Sequence, residues 1–121
     1  MSAEQMRWKE KVFQLKNKEE FTACALEIFH FQATHIPVYA QYLKLLKINI
    51  ERVDSIEKIP FLPISFFKSH QVITENTIPE IIFESSGTTQ LTSSRHHVAD
   101  SNLYVKSFSN CFELFLGNPS D

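Results

Sequence analysis

Glycine is the scarce residue of this 121-residue chain. Only Gly87 and Gly117 are present, where average usage of about 7% would place roughly eight. That scarcity excludes a Walker-type loop, a GxGxxG dinucleotide fingerprint and a GxSxG nucleophile elbow, each of which needs at least two closely spaced glycines. Cysteine is as sparse: Cys24 and Cys111 stand far apart without CxxC or Cys/His ligand spacing, so they read as free thiols in a reducing compartment. An excess of one charge is also missing. Twelve Lys and Arg face fourteen Asp and Glu, for a formal charge of −2, which gives no electrostatic footprint for nucleic acid. Lys44, Lys47 and Glu51 interrupt the longest apolar stretches, so no membrane span is expected. Met1 to Glu20 mixes charged and apolar residues throughout, unlike a signal peptide, and the expectation is a soluble, cytoplasmic protein.

What the chain does have is apolar mass. Hydrophobic residues make up 43%, and 11 of the aromatics are Phe, enough for the core of one domain. Residues 1–50 read as helical. Ser2 with Gln5 has the capping-box form, followed by Trp8, Val12 and Leu15 on one face. Asn17 with Glu20 repeats the cap, and Phe21, Ala25, Ile28, Phe29 and Gln32 trace a second helix ending before Pro37. Tyr39, Tyr42, Leu43 and Leu46 continue at helical spacing, with Lys44 and Lys47 facing away.

Residues 51–121 change character. Ile59-Pro60-Phe61-Leu62-Pro63-Ile64 holds two prolines and cannot be a helix interior. Asp54 with Glu57 predicts a capped turn just before it. Val72-Ile73 suggests a short strand, and Ile81-Ile82-Phe83 carries the signal of a buried one. Asp100 is the expected N-cap of a last helix, with Tyr104, Phe108, Cys111, Phe112 and Phe115 at helical spacing and Gly117 as its stop. Cys24 and Cys111 both fall on apolar helix faces, and the Phe stripe reads as core rather than acyl-chain pocket. The fold class is therefore α/β: a helical N-terminal region, then strand, loop and helix.

Chemistry concentrates in the loop after Phe83. Seven of the ten residues from Ser85 to Ser94 bear a hydroxyl. Ser85, Ser86, Thr88, Thr89, Ser93 and Ser94 around the φ-permissive Gly87 can form a concave donor site for phosphate oxygens, and Arg95 can add a charge-assisted contact. A phosphate held between a strand and a helix N-terminus is the arrangement such an order suggests. His96 and His97 are adjacent, so they do not form a metal site by themselves, and one of them is a candidate pocket residue. His30, His35 and His70 read as structural or solvated. A hydrolase triad of Ser86, one of these histidines and Asp100 has the residue types but not the elbow glycines.

At these residues the chain resembles the adenylate-forming superfamily through Ser85-Ser86-Gly87-Thr88-Thr89. It is most similar to the LuxE-type acyl-protein synthetase branch through Ser94-Arg95-His96-His97-Val98-Ala99-Asp100 and the upstream Ile59-Pro60-Phe61-Leu62-Pro63-Ile64-Ser65-Phe66-Phe67-Lys68. Gln90 and Ser93 stand where the superfamily generally has a second glycine and a lysine. The resemblance implies the N-terminal portion of an adenylate-forming large domain. It also implies ATP with Mg²⁺ as cofactor, a fatty or other carboxylic acid as substrate, an acyl-adenylate intermediate, and a thiol acceptor or reductase partner. Ser86, Thr88 and Thr89 would supply donors to the ATP phosphates, Gly87 close backbone approach, and Arg95 charge near the departing pyrophosphate. The family's metal ligands, ribose contact and acyl-accepting Cys lie beyond the matched part, so a chain this long is expected to be inactive alone. The alternative is a non-catalytic binding module whose uncovered helix faces dock on a partner or on a second copy.

Overall fold

The computed structural model describes residues 3–85 and 93–116. Helix α1 (Ala3–Lys11) ends sooner than the Trp8, Val12, Leu15 spacing predicts, and Val12 N–H reaches back to the Trp8 carbonyl at 3.0 Å. Ser2 lies outside the described residues. Helix α2 (Lys18–His35) begins where expected: Asn17 Oδ1 accepts from Glu20 N–H at 2.8 Å, and Glu20 Oε2 accepts from Lys16 N–H at 2.9 Å. Glu27 on α2 accepts from Trp8 Nε1–H at 3.2 Å and from Arg7 at 3.1 Å, so one carboxylate clamps α1 to its neighbour.

Ile36 is extended because Pro37 follows it, and Pro37 then opens helix α3 (Pro37–Leu45) at the one place a helix tolerates it. The core forms between α2 and α3 from Phe29, Ala33, Tyr39 and Leu43, closed by Val53. Burying a side chain such as Leu43 contributes roughly 1.5–3 kcal/mol. Lys44 and Lys47 face solvent as their spacing predicts, but Phe21 and Leu46 are about half exposed. Nine-residue α3 packs on the Phe29–Ala33 part of α2, which leaves Phe21 two turns away, and Leu46 falls past the end of its helix.

α3 ends without glycine. Ile48 N–H donates to the Leu43 carbonyl and Lys47 N–H to that of Lys44, both at 3.0 Å, with Lys47 at φ 59°. This is the Schellman pattern, with lysine at the left-handed position that usually takes glycine.

The proline-rich connector is extended, and Tyr39 Oη donates to the Pro60 carbonyl at 2.5 Å, tying it to the core. Burial pushes the Tyr39 phenol up to about 12, with the neighbouring Tyr42 adding to the effect. Single 3₁₀ turns span Ile50–Arg52 and Ile56–Lys58. Asp54 does not cap the second of these; it pairs with Lys58 at 2.9 Å, and Ser55 holds the cap position without a side-chain bond. Helix α4 (Phe66–Ser69) is one turn. Val72-Ile73 forms no strand, and the segment after it is pinned by Glu75, whose N–H donates to the His35 carbonyl at 2.7 Å.

Strands β1 (Ile81–Glu84) and β2 (Arg95–Val98) form an antiparallel ladder pairing Ile81 with Val98, Ile82 with His97, Phe83 with His96 and Glu84 with Arg95. Helix α5 (Ser101–Leu116) follows. Two expectations are corrected here. β1 is exposed along its length rather than buried, since a β-branched run supplies strand propensity and not depth. The order is strand, strand, helix, because the polar Arg95-His96-His97-Val98 pairs with β1 before the helix begins. On α5, Cys111 is exposed and Phe108 is 64% exposed, so neither is core, while Gly117 lies outside the described residues. The architecture is a helical unit with a small antiparallel sheet, α/β in the loose sense. Among the described residues no helix is long and apolar enough to cross a membrane.

Candidate functional site

The hydroxyl-rich loop leaves β1 and returns into β2, and its two ends are fastened together. Ser85 N–H donates to the Ser94 carbonyl and Ser94 N–H donates to Ser85 Oγ, both at 2.9 Å. Ser94 is buried by this closure and Ser93 partly so. Ser86, Gly87, Thr88 and Thr89, with Gln90, lie outside the described residues.

The first turn of α5 and the described ends of the loop start from opposite ends of the ladder. The loop opens from the Glu84–Arg95 end of the ladder and α5 from the Ile81–Val98 end, about 10 Å apart at the rise of a strand. That turn is also occupied. Ser101 N–H donates to Glu80 Oε1 at 3.3 Å, and Asn102 N–H donates to Asp100 Oδ1 at 3.0 Å. Asp100 is thus the cap its position predicts, and it also pairs with Lys9 of α1. Hydrogen bonding from Lys9 holds the Asp100 carboxyl below the usual carboxylate range. A phosphate on this helix terminus would meet two carboxylates, and Asp100 so engaged is not the third member of a triad.

The adjacent histidines part company. His96 stacks on Phe67 with centroids 4.7 Å apart, whereas His97 lines a cleft of 210 Å³ together with Phe67, Lys68, Ser69, His70, Gln71 and Arg95. Nδ1 of His97 is enclosed and has no hydrogen-bond partner among the described residues. Arg95 pairs through Nε with Glu84 across the ladder at 3.3 Å, and His70 Nδ1 lies 2.7 Å from Ser69 Oγ. Two larger grooves lie on α2, one of 350 Å³ against Val12, Leu15, Tyr39 and Ile59 and one of 360 Å³ between α1, α2 and the junction of β2 with α5; their linings are mainly apolar, and the second includes Lys9 and Asp100 as its charged residues.

The cleft therefore joins two segments that the sequence keeps apart. Arg95 and His97 were legible as site residues; Lys68, Ser69, His70 and Gln71 were not, and His70 read as merely solvent-facing. The available signal was the run of four polar residues directly behind Phe66-Phe67. Among the described residues no group of three or more His, Cys, Asp or Glu side chains is placed to hold a metal ion. Comparison with protein-family models, with curated proteins and with solved structures gives no match to this chain.

Proposed function

We propose that the chain is the N-terminal part of an ATP-dependent acyl-activating ligase of the acyl-protein synthetase type, contributing to acyl-adenylate formation from a fatty or other carboxylic acid. The observation that carries this reading is the meeting of the two segments on which the resemblance rests. Phe67 and Lys68 end the first, Arg95 to His97 belong to the second, and they share one stacked pair and one cleft. Cationic and N–H donors placed there would stabilise charge moving onto pyrophosphate as a carboxylate attacks the α-phosphorus. ATP with Mg²⁺ is the cofactor this chemistry requires, and the cationic lining suits its phosphates.

The test is ATP titration of the chain with calorimetric detection, in the presence of Mg²⁺. Binding should weaken about 10-fold or more in Thr88→Ala and in Arg95→Ala. Binding unchanged in both variants would overturn the loop assignment.

A second reading, a self-associating or docking module, is favoured by one observation. Tyr104, Val105, Phe108 and Leu114 of α5 are each more than half exposed, and Ile82 of β1 is 48% exposed. Sedimentation showing a monomer at high concentration would count against this reading.

A further inference from the structure

We infer that the chain forms a closed two-fold homodimer in which helix α5 packs on α5 of a second copy along a seam of Val105, Phe108 and Phe112. The inference rests on the self-association reading above and adds to it the occupant and the face.

The surface of the chain is larger than a lone compact domain needs. It exposes 9166 Å², whereas a folded monomer of 14.1 kDa is expected to expose about 6,700 Å². The surplus, roughly 2,400 Å², falls within the about 1,000–2,500 Å² that each protomer buries in an obligate homodimer. A share of that surplus lies on α5. Among its described side chains only those of Ser101, Ser109 and Phe112 are partly covered, and a 16-residue helix so exposed is marginal in water without a packing partner.

The free face can be located. α5 is held to its own chain in its first two turns, by Ser101 N–H on Glu80 at 3.3 Å, by the Tyr104 ring 5.0 Å from that of Phe83, and by Lys106 Nζ 4.5 Å over the ring of Phe13. Val105, Phe108 and Phe112 follow at spacings of three and four, the repeat of a helix–helix seam, and the Phe108 and Phe112 rings, 6.5 Å apart, make that seam a continuous ridge. The helix carries two charged residues, Lys106 and Glu113, and both stand roughly 120° around its axis from the seam. Lys106 is the residue that reaches Phe13, so the charged side turns toward the chain's own body and the apolar seam away from it.

A second copy suits this face for a reason of charge. In a two-fold interface a patch meets itself, so a charge within it meets the same charge across the axis. A seam of Val and Phe without charge escapes that repulsion, and a net −2 on each chain opposes pairing only weakly. Closure by two-fold symmetry also uses up the seam, which limits the assembly to two chains.

The test is sedimentation of the full chain from micromolar to millimolar concentration, together with the reactivity of its thiols. A dimer is expected. Phe108→Asp, at a position already exposed, should weaken it about 30-fold or more with the circular dichroism of the fold unchanged. Phe61→Asp, an equally exposed aromatic on the proline-rich connector, should leave the dimer as it was. Cys111 is exposed one turn from Phe108 while Cys24 is buried, so reaction with Ellman's reagent reports on α5 and should slow as dimer accumulates in the parent but not in Phe108→Asp. A parent that stays monomeric throughout overturns the inference and the self-association reading with it, and assigns the seam to another occupant. A dimer that survives Phe108→Asp with Cys111 reacting at one rate at every concentration overturns the α5 seam and leaves self-association standing. Growth beyond two chains overturns the closed pair.

Discussion

Phe67 and His96 stack with ring centroids 4.7 Å apart and planes 29° from parallel, so the single turn of α4 grips strand β2 through one aromatic pair. A two-stranded ribbon is marginal without something packed on it, and this contact is part of what holds β2 against the helical unit. A double-mutant cycle with Phe67→Leu and His96→Ala should give a coupling of about 0.5–1.5 kcal/mol. Coupling near zero in urea denaturation would mean that the rings merely lie side by side.

Asp100 joins α1 to α5 while capping α5. Its carboxyl pKa is lowered, first by the hydrogen bond from Lys9 and then by backbone N–H groups, against the opposing effect of desolvation. A lowered folded value means that the contribution is present above the ordinary carboxylate pKa of 3.8 and is lost as pH falls through the folded value. Asp100→Ala should cost about 1–2 kcal/mol at neutral pH, and Asp100→Asn less, because an amide still caps. In both variants stability should fall less steeply with acid below pH 3.8 than in the parent. Asp54 is the control. Its carboxyl is also held low, by Lys58, but that pair is solvent-exposed and its removal should be nearly silent.

The helical half was readable because each signal there is local. Asn17 and Glu20 cap α2 by their own side chains, and Pro37 fixes the break between α2 and α3 by geometry. The hairpin was half readable. Ile81-Ile82-Phe83 has intrinsic strand character, whereas Arg95-His96-His97-Val98 becomes a strand through its register with β1, which is a non-local fact. The depth of β1 was misread for the same reason: burial depends on what packs above a strand, and its own composition does not say. In the site, Arg95 and His97 were legible by residue type, but Lys68 and His70 join them only because α4 packs on β2. Ser86, Gly87, Thr88 and Thr89 remain outside the described residues.

Tyr39 should make the protein sensitive to alkali. Its phenol is pushed from 10 up to about 12 by burial, while its hydroxyl donates to Pro60. A raised folded value means that the contribution is complete below pH 10 and is lost progressively as pH rises toward about 12. Tyr39→Phe removes the titrating group and one hydrogen bond, costing about 0.5–1.5 kcal/mol at neutral pH. The variant's stability should then be flatter than the parent's across that alkaline window, as measured by urea midpoints at successive pH values. An equal decline in both proteins would assign the alkaline loss to other groups.

Glycine scarcity leaves a measurable mark at Lys47. The Schellman closure of α3 needs a left-handed residue, and Lys47 takes it at φ 59°, where an L-residue carries a steric cost of roughly 1–2 kcal/mol. Lys47→Gly relieves that cost but adds freedom to the unfolded chain, worth about 0.4–1 kcal/mol in the opposite direction. The balance predicts a net gain of about 0.5–1 kcal/mol. Lys47→Val should lose stability, since a β-branched side chain is least tolerated at positive φ. Urea midpoints should move up for the glycine variant and down for the valine variant, with the denaturant slope unchanged in both. Lys47 is exposed, so no loss of packing confounds the comparison. A glycine variant no more stable than the parent would show that the turn is held by the Ile48–Leu43 bond and its core contacts rather than limited by the backbone at residue 47.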